Sequence, residues 1–204
     1  MKLSSILILH LFTISLFGQS YAGYLLKPYF GKTDQLRSIS LSGAGLKKTV
    51  VKKNGTIKFR CTNGKMFRFK DNSSDENFTQ FTSLGMDVDS FVYIKQEWYN
   101  NEVFHVINLR NGIAIKLIGE PVFNKNMNRL IALQGAETDA RNTIQIWTKS
   151  NGIWKMTKAF EVRKDRPRLG PDIYARFVYW FDHHTILIRD GQDKYFSLDL
   201  RKVH

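Results

Sequence analysis

The stretch that decides the fold is Thr56-Ile57-Lys58-Phe59-Arg60-Cys61-Thr62-Asn63-Gly64-Lys65-Met66-Phe67-Arg68-Phe69-Lys70. Apolar and charged side chains alternate with period two on either side of Asn63-Gly64, as they do in half-buried β-strands. Asn-Gly between two such runs is a strong hairpin signal, because both residues accept the positive φ that a tight turn demands. A two-residue loop would set Phe67 against Arg60 and mix the two faces. A three-residue loop, Thr62-Asn63-Gly64 with Gly64 left-handed, sets Phe59 against Phe67 and Ile57 against Phe69. Ile57, Phe59, Phe67 and Phe69 then point inward. Lys58, Arg60, Arg68 and Lys70 share the other face, with Lys58 directly opposite Arg68.

The same alternation recurs at Val103 to Leu109, Ile113 to Leu117, Thr143 to Trp147 and Ile153 to Phe160, and no segment reads as an amphipathic helix. The x-Asn-Gly triplet also occurs at Lys53-Asn54-Gly55, Arg110-Asn111-Gly112 and Ser150-Asn151-Gly152. Applied to these, the three-residue rule pairs Val51 with Ile57, Leu109 with Ile113, Ile107 with Ile115, and Ile146 with Met156. A further tip at Tyr99-Asn100-Asn101 sets Trp98 against Val103. Arg189-Asp190-Gly191 reads as another turn, of a length the facing does not fix. The four prolines, Pro28, Pro121, Pro167 and Pro171, fall at run edges or in loops, where a strand tolerates them.

The expected fold is therefore all-β, a single domain of consecutive antiparallel hairpins over residues 23–204. Gly112, Gly152 and Gly191 recur at intervals of 40 and 39 residues. That spacing suggests a propeller-like arrangement of about four blade-like units. Four quartets of strands can be written, beginning near Leu36, Phe78, Pro121 and Asp172, with last strands near Met66, Ile113, Ile153 and Lys194. A β-sandwich or open barrel is the alternative. Within the third quartet, Pro121-Val122-Phe123, Arg129-Leu130-Ile131-Ala132-Leu133 and Thr143-Ile144-Gln145-Ile146-Trp147 resemble blades of the TolB and WD-repeat type. They are also similar to those of uncharacterised secreted bacterial β-repeat proteins. The resemblance covers Phe91 to Phe160. Asn124-Lys125-Asn126-Met127 stands where those families place a Ser-Pro-Asp-Gly-like turn. The resemblance implies a binding scaffold more often than an enzyme and carries over no functional residue.

Charge is distributed unevenly. The 204 residues carry a formal +13. Residues 23–70 hold 12 lysines and arginines against one acid, Asp34, for +11, whereas residues 71–204 hold 18 against 17, for +1. Such asymmetry speaks about partners rather than about fold. The anion- or partner-binding residues expected from the hairpin model are Lys52, Lys53, Lys58, Arg60, Arg68 and Lys70, with Lys47 and Lys48 just before them. The competing explanation is a solvated face that keeps a sheet edge from pairing. Nucleic acid fits poorly, because Phe59, Phe67 and Phe69 point inward and leave no exposed base-stacking platform. A second cluster, Arg163-Lys164-Asp165-Arg166-Pro167-Arg168, reads as a solvated loop.

Met1-Lys2, the apolar stretch Leu3 to Phe17 and the small-x-small end Ser20-Tyr21-Ala22 read as a secretory signal over residues 1–22. The apolar part, about 15 residues, is short of the roughly 20 that span a bilayer. The expected location is secreted or periplasmic. The hydrophobic content of 43% and aromatic content of 13% exclude a disordered chain. The single cysteine, Cys61, excludes an internal disulfide framework and a Cys-pair zinc site, and reads as a buried small hydrophobe. Three sequons, at Asn54, Asn72 and Asn77, would be glycosylated only in a eukaryotic source.

Catalytic patterns are sparse. Asp182-His183-His184 is the one cluster resembling metal ligands, with Asp182 and His184 on one face if the segment is a strand. Two ligands do not close a zinc site. Glu97 and Glu102 flank a hairpin tip and read as solvated turn charges rather than an acid–base pair. The sequence has no Gly-x-Ser-x-Gly elbow and no phosphate-cradling glycine loop. Trp98, Trp147, Trp154 and Trp180 sit in strand runs and read as packing residues. No catalytic residue, metal site or cofactor is expected. The function that follows is a non-catalytic binding module recognising an acidic protein or anionic envelope component. Two alternatives are an inhibitor or immunity-type protein that neutralises an extracytoplasmic enzyme, and a hydrolase using Asp182, His184 or Glu97.

Overall fold

The structure, a computed structural model, describes residues 20–21, 26–33, 36, 38–47, 50–99, 101–134, 142–162 and 175–203. The rest of residues 1–22, the Arg163–Arg168 cluster and the Asp172 quartet start lie outside the described residues. Among the described residues the chain is all-β, with one short 3-10 turn at Ser42–Ala44 and no α-helix.

The strands are β1 (Ser20–Tyr21), β2 (Lys27–Tyr29), β3 (Ser38–Ile39), β4 (Lys52–Lys53), β5 (Thr56–Arg60), β6 (Met66–Lys70), β7 (Gln80–Met86), β8 (Phe91–Trp98), β9 (Asn101–Asn108), β10 (Ala114–Leu117), β11 (Pro121–Asn124), β12 (Arg129–Leu133), β13 (Asn142–Ser150), β14 (Ile153–Val162), β15 (Ala175–Trp180), β16 (Thr185–Asp190) and β17 (Tyr195–Asp199). They form four sheets, ordered β4-β5-β6, β10-β9-β8-β7, β1-β14-β13-β12-β11-β3 and β15-β16-β17-β2. All pairings between strands are antiparallel except that of β1 with β14.

Three apolar clusters join these sheets in chain order. Ile57 and Cys61 of the first sheet region pack with Val92, Ile94 and Ile107 of the second. The opposite face of the second sheet, with Phe91, Tyr93, Phe104 and Val106, packs on Phe123, Leu130, Ala132 and Trp154 of the third. The third sheet's other face, with Ile131, Ile144, Ile146 and Phe160, packs on Val178, Trp180, Ile186, Ile188 and Leu198 of the last. The two middle sheets are thus buried on both faces, and each end sheet joins these clusters through one face. Dual burial explains why β8 and β12 read as nearly continuous apolar runs rather than alternating ones.

The register of the first hairpin agrees with the sequence reading. Phe59 pairs with Phe67, Ile57 with Phe69 and Lys58 with Arg68, and Gly64 has φ 86°. The three-residue rule fails at the other three Asn-Gly sites. At Asn54-Gly55 both residues have positive φ (49° and 64°), so a two-residue loop forms and Ile57 opposes Lys52, not Val51. At Asn151-Gly152 (50° and 69°) the same turn pairs Ser150 with Ile153. Met156 then opposes Trp147, and a register shift next to Ile146 moves that residue opposite Lys158. At Asn111-Gly112 the Asn108 N–H donates to the Ile113 carbonyl (2.9 Å), closing a four-residue loop, and Ile107 opposes Ala114. Trp98 likewise faces Asn101 rather than Val103.

The remaining turns are held by carboxylates and amides. The Asp87 carboxylate accepts the N–H groups of Asp89 and Phe91 (3.0 and 2.9 Å) and the Tyr93 hydroxyl (2.8 Å). Asp190 accepts those of Gln192 and Lys194 (both 2.8 Å), and the Asn124 side-chain oxygen those of Asn128 and Arg129 (3.1 and 3.0 Å). Each side chain takes up donors that its turn would leave unpaired. Burial, then the adjacent Asp87 carboxylate, pushes the Tyr93 hydroxyl up, so it stays a proton donor to Asp87.

The quartets are corrected in two places. The segment near Leu36 does not start the first sheet, because Ser38–Ile39 pairs with β11 in the third. The first sheet therefore has three strands. The last has three consecutive strands completed by β2 from near the N-terminus, with Tyr29 opposite Tyr195.

Candidate functional site: the outward face of the first sheet

The first sheet places its cations by strand parity. Register aligns Lys53, Thr56 and Lys70 in one outward row, Lys58 and Arg68 in the next, and Arg60 with Met66 in the third. Lys53, Lys58, Arg60, Arg68 and Lys70 are all exposed. None of the five has a carboxylate within 4.0 Å among the described residues. Two apolar side chains lie among them, Val51 (77% exposed) and Met66 (52%).

Lys52 departs from the expected set. Pairing with Ile57 puts it on the inward-facing parity, where its Nζ contacts the Asp71 carboxylate at 2.5 Å and the Phe81 carbonyl at 2.8 Å. Asp71 also accepts the Phe81 N–H (2.9 Å). Lys52 thus ties the first sheet to the second and has no free charge to offer a partner. The sequence alone gives no sign of this, because Asp71 and Phe81 reach Lys52 through tertiary packing.

Beneath the cations lies a stack of rings. Phe59 lies 5.5 Å from Phe67, and each lies 6.4 Å from Phe69. Phe69 continues to Phe81 and His105, both at 5.3 Å. The hairpin tip is fastened to the tip of the next sheet, where Asn63 Nδ2 donates to the Asn111 carbonyl (2.6 Å) and Lys65 Nζ to the Gly112 carbonyl (3.0 Å). The cationic face is therefore carried on a preformed surface, not on a loose loop.

The other sequence candidates have structural partners. Cys61 is buried (2% exposed) beside Ile57 and Ile107. Burial pushes its thiol up despite Lys65, which disfavours the nucleophilic thiolate. Glu97 and Glu102 are opposed across β8 and β9, and Lys95 bridges both at 2.8 Å. Asp182-His183-His184 is not strand but the turn between β15 and β16. Burial opposes ionisation of Asp182, but the N–H groups of His184 and Thr185 (both 2.7 Å) hold its carboxyl below its ordinary value. Among the described residues, no three His, Cys, Asp or Glu side chains group as metal ligands. Trp154 and Trp180 are buried, and Trp180 Nε1 donates to the Val122 carbonyl (3.0 Å). Asn54, Asn72 and Asn77 are all exposed near the first hairpin, Asn72 in an isolated antiparallel bridge with Thr79.

Two cavities lie away from this face. One of about 610 Å³ is lined by Ser38, Glu102, Glu120, Val122, Phe177 and Tyr179, among others, and another of about 410 Å³ shares Glu102 and Glu120. Neither includes a residue of the cationic face. No protein family, curated protein or solved structure matches the chain.

Proposed function

We propose that the protein is an exported, non-catalytic binding module that recognises an anionic partner, an acidic protein or envelope component, through the outward face of β4, β5 and β6. The observation that carries this is the position of Lys58 and Arg60 on β5, the central strand of that sheet. Cations that guard an edge belong on edge strands. On the central strand they protect no edge, and Lys58 opposite Arg68 costs a few tenths to about 1 kcal/mol of like-charge repulsion. An anion bound across the face offsets that cost. Burial of the phenylalanines beneath supports a reading by charge rather than by base stacking.

The fold suits such a role. We read the four sheets, each packed face to face on the next in chain order and the last completed by an N-terminal strand, as blade-like units of a propeller-like arrangement. Successive sheets of that kind bury a continuous interior and leave an end face free.

The test is recovery of the exported protein on isolated envelope material at low and high salt. The native chain is expected to bind at low salt and release at high salt. The triple reversal Lys58→Glu, Arg60→Glu, Arg68→Glu is expected to abolish binding while leaving the near-ultraviolet circular dichroism unchanged. Retention indifferent to both salt and reversal sinks the assignment.

A further inference from the structure

Resting on that reading, we infer that the anionic partner is a bilayer surface containing acidic phospholipid, onto which the first sheet docks flat with Val51 and Met66 entering the headgroup boundary. Two observations favour lipid over an acidic polypeptide. The first is the apolar pair among the cations. Val51 immediately precedes β4 and is more than three-quarters exposed, and Met66 starts β6 beside Arg60. An acidic peptide in water gains little from facing them, whereas a bilayer boundary removes both from water while the lysine and arginine heads stay at the phosphates. The second is shape. The face is the pleated surface of a three-stranded sheet, and the cavities described above lie outside it. Cations on neighbouring strands stand about 5 Å apart and those two residues apart along a strand about 7 Å, which spreads the charge over a plane rather than along a line. Asp71, the acid nearest in sequence to this face, is already paired to Lys52 and does not neutralise it.

The experiment is co-sedimentation of the exported protein, its N-terminus read by mass spectrometry, with two kinds of vesicle. One is phosphatidylcholine alone, and the other is phosphatidylcholine mixed with phosphatidylglycerol. Soluble polyglutamate is titrated separately as an acidic polypeptide. Binding is expected only to the mixed vesicles, and to fall with added salt. Each charge removed should lower partitioning about fivefold, so Lys58→Gln with Arg68→Gln should cost roughly 25-fold. Met66→Ser, which leaves every charge in place, should weaken vesicle binding severalfold. Binding to polyglutamate with none to mixed vesicles overturns the lipid inference and leaves the wider anion reading standing. Salt-insensitive behaviour towards both probes overturns the two together. Vesicle binding that Met66→Ser leaves intact overturns the immersion of the apolar pair.

Discussion

The two end sheets of the stack treat the same kind of residue in opposite ways. In the last sheet, Arg189 on β16 lies over the Phe177 ring (4.1 Å to the centroid) and 3.6 Å from Asp193, and the Phe177, Tyr179 and Tyr195 rings continue the row at 6.4 and 6.5 Å. Its charge is absorbed by its neighbours. In the first sheet, Arg68 stands opposite Lys58 with no acid beside it. The interiors differ in the same sense. In the strands of the last sheet Trp180, Ile186, Ile188 and Leu198 are fully buried, whereas in those of the first sheet only Ile57 is, and the three phenylalanines are half-buried. The last sheet pairs its outward arginine and fully buries its inward side chains. The N-terminal end is loosely packed and carries charge that its own sheet does not satisfy.

Truncation of the two interiors should give the largest effects. Trp180→Ala removes a fully buried ring, its bond to the Val122 carbonyl and the seat of Arg129, which lies 4.8 Å from the ring centroid. A loss at the upper end of about 3–5 kcal/mol is expected in denaturant unfolding. Phe67→Ala, on a half-buried ring, should cost about 2 kcal/mol. Equal losses would erase the contrast between the ends. Hydrogen exchange gives the same comparison without substitution, since β5 and β6 amides should open at lower free energy than those of β16.

This contrast was partly legible in the sequence. Residues 56–70 alternate sharply between Ile or Phe and Lys or Arg, so one register separates the faces, and that register is the one found. Where parity blurs, the sequence does not determine the facing. Lys52 is a cation on an inward position because Asp71 neutralises it there, and Ile146 comes to face Lys158 only through a register shift. Asn-Gly fixed the existence of turns but not their length, because Asn can take positive φ, as Asn54 and Asn151 do, or leave that to Gly64 alone. Completion of the last sheet by β2 depends on a contact between chain ends, to which local periodicity is blind. The exposure of the cations was readable. The absorption of Arg189 was not, since Asp193 and Phe177 meet it only once the sheet is formed.

Acid should sharpen the difference between the ends. His105 packs against Phe69 and Phe81, where the first sheet meets the second, with its Nε2 2.7 Å from Gln96 Oε1. Burial first, then Lys116, holds its pKa below the ordinary 6.5. The unfolded chain therefore binds the proton more readily than the folded one. Stability from the neutral ring is complete above the ordinary histidine value and falls as pH drops through it. His105→Gln should flatten that part of the profile, and the protection of β5 and β6 amides, corrected for the intrinsic exchange rate at each pH, should fall on acidification before that of β16 does. A loss of protection that begins at the last sheet would contradict the assignment of His105 as the sensitive group.

The smallest expected effect discriminates most sharply. Arg68→Glu turns a like-charged cross-strand pair into an opposite one, so the isolated protein should gain a few tenths to about 1 kcal/mol. Arg189→Glu should lose a similar amount, because it places a carboxylate beside Asp193 and removes the cation from Phe177. The same substitution at the two ends should thus change stability with opposite signs, measured in one buffer at low salt and converging at high salt. A gain at Arg68 accompanied by lost binding would mean that the native arginine is held at a cost to the fold for the sake of its partner. A loss at Arg68 would mean that its charge is already satisfied within the chain, and the two ends would then differ in packing alone.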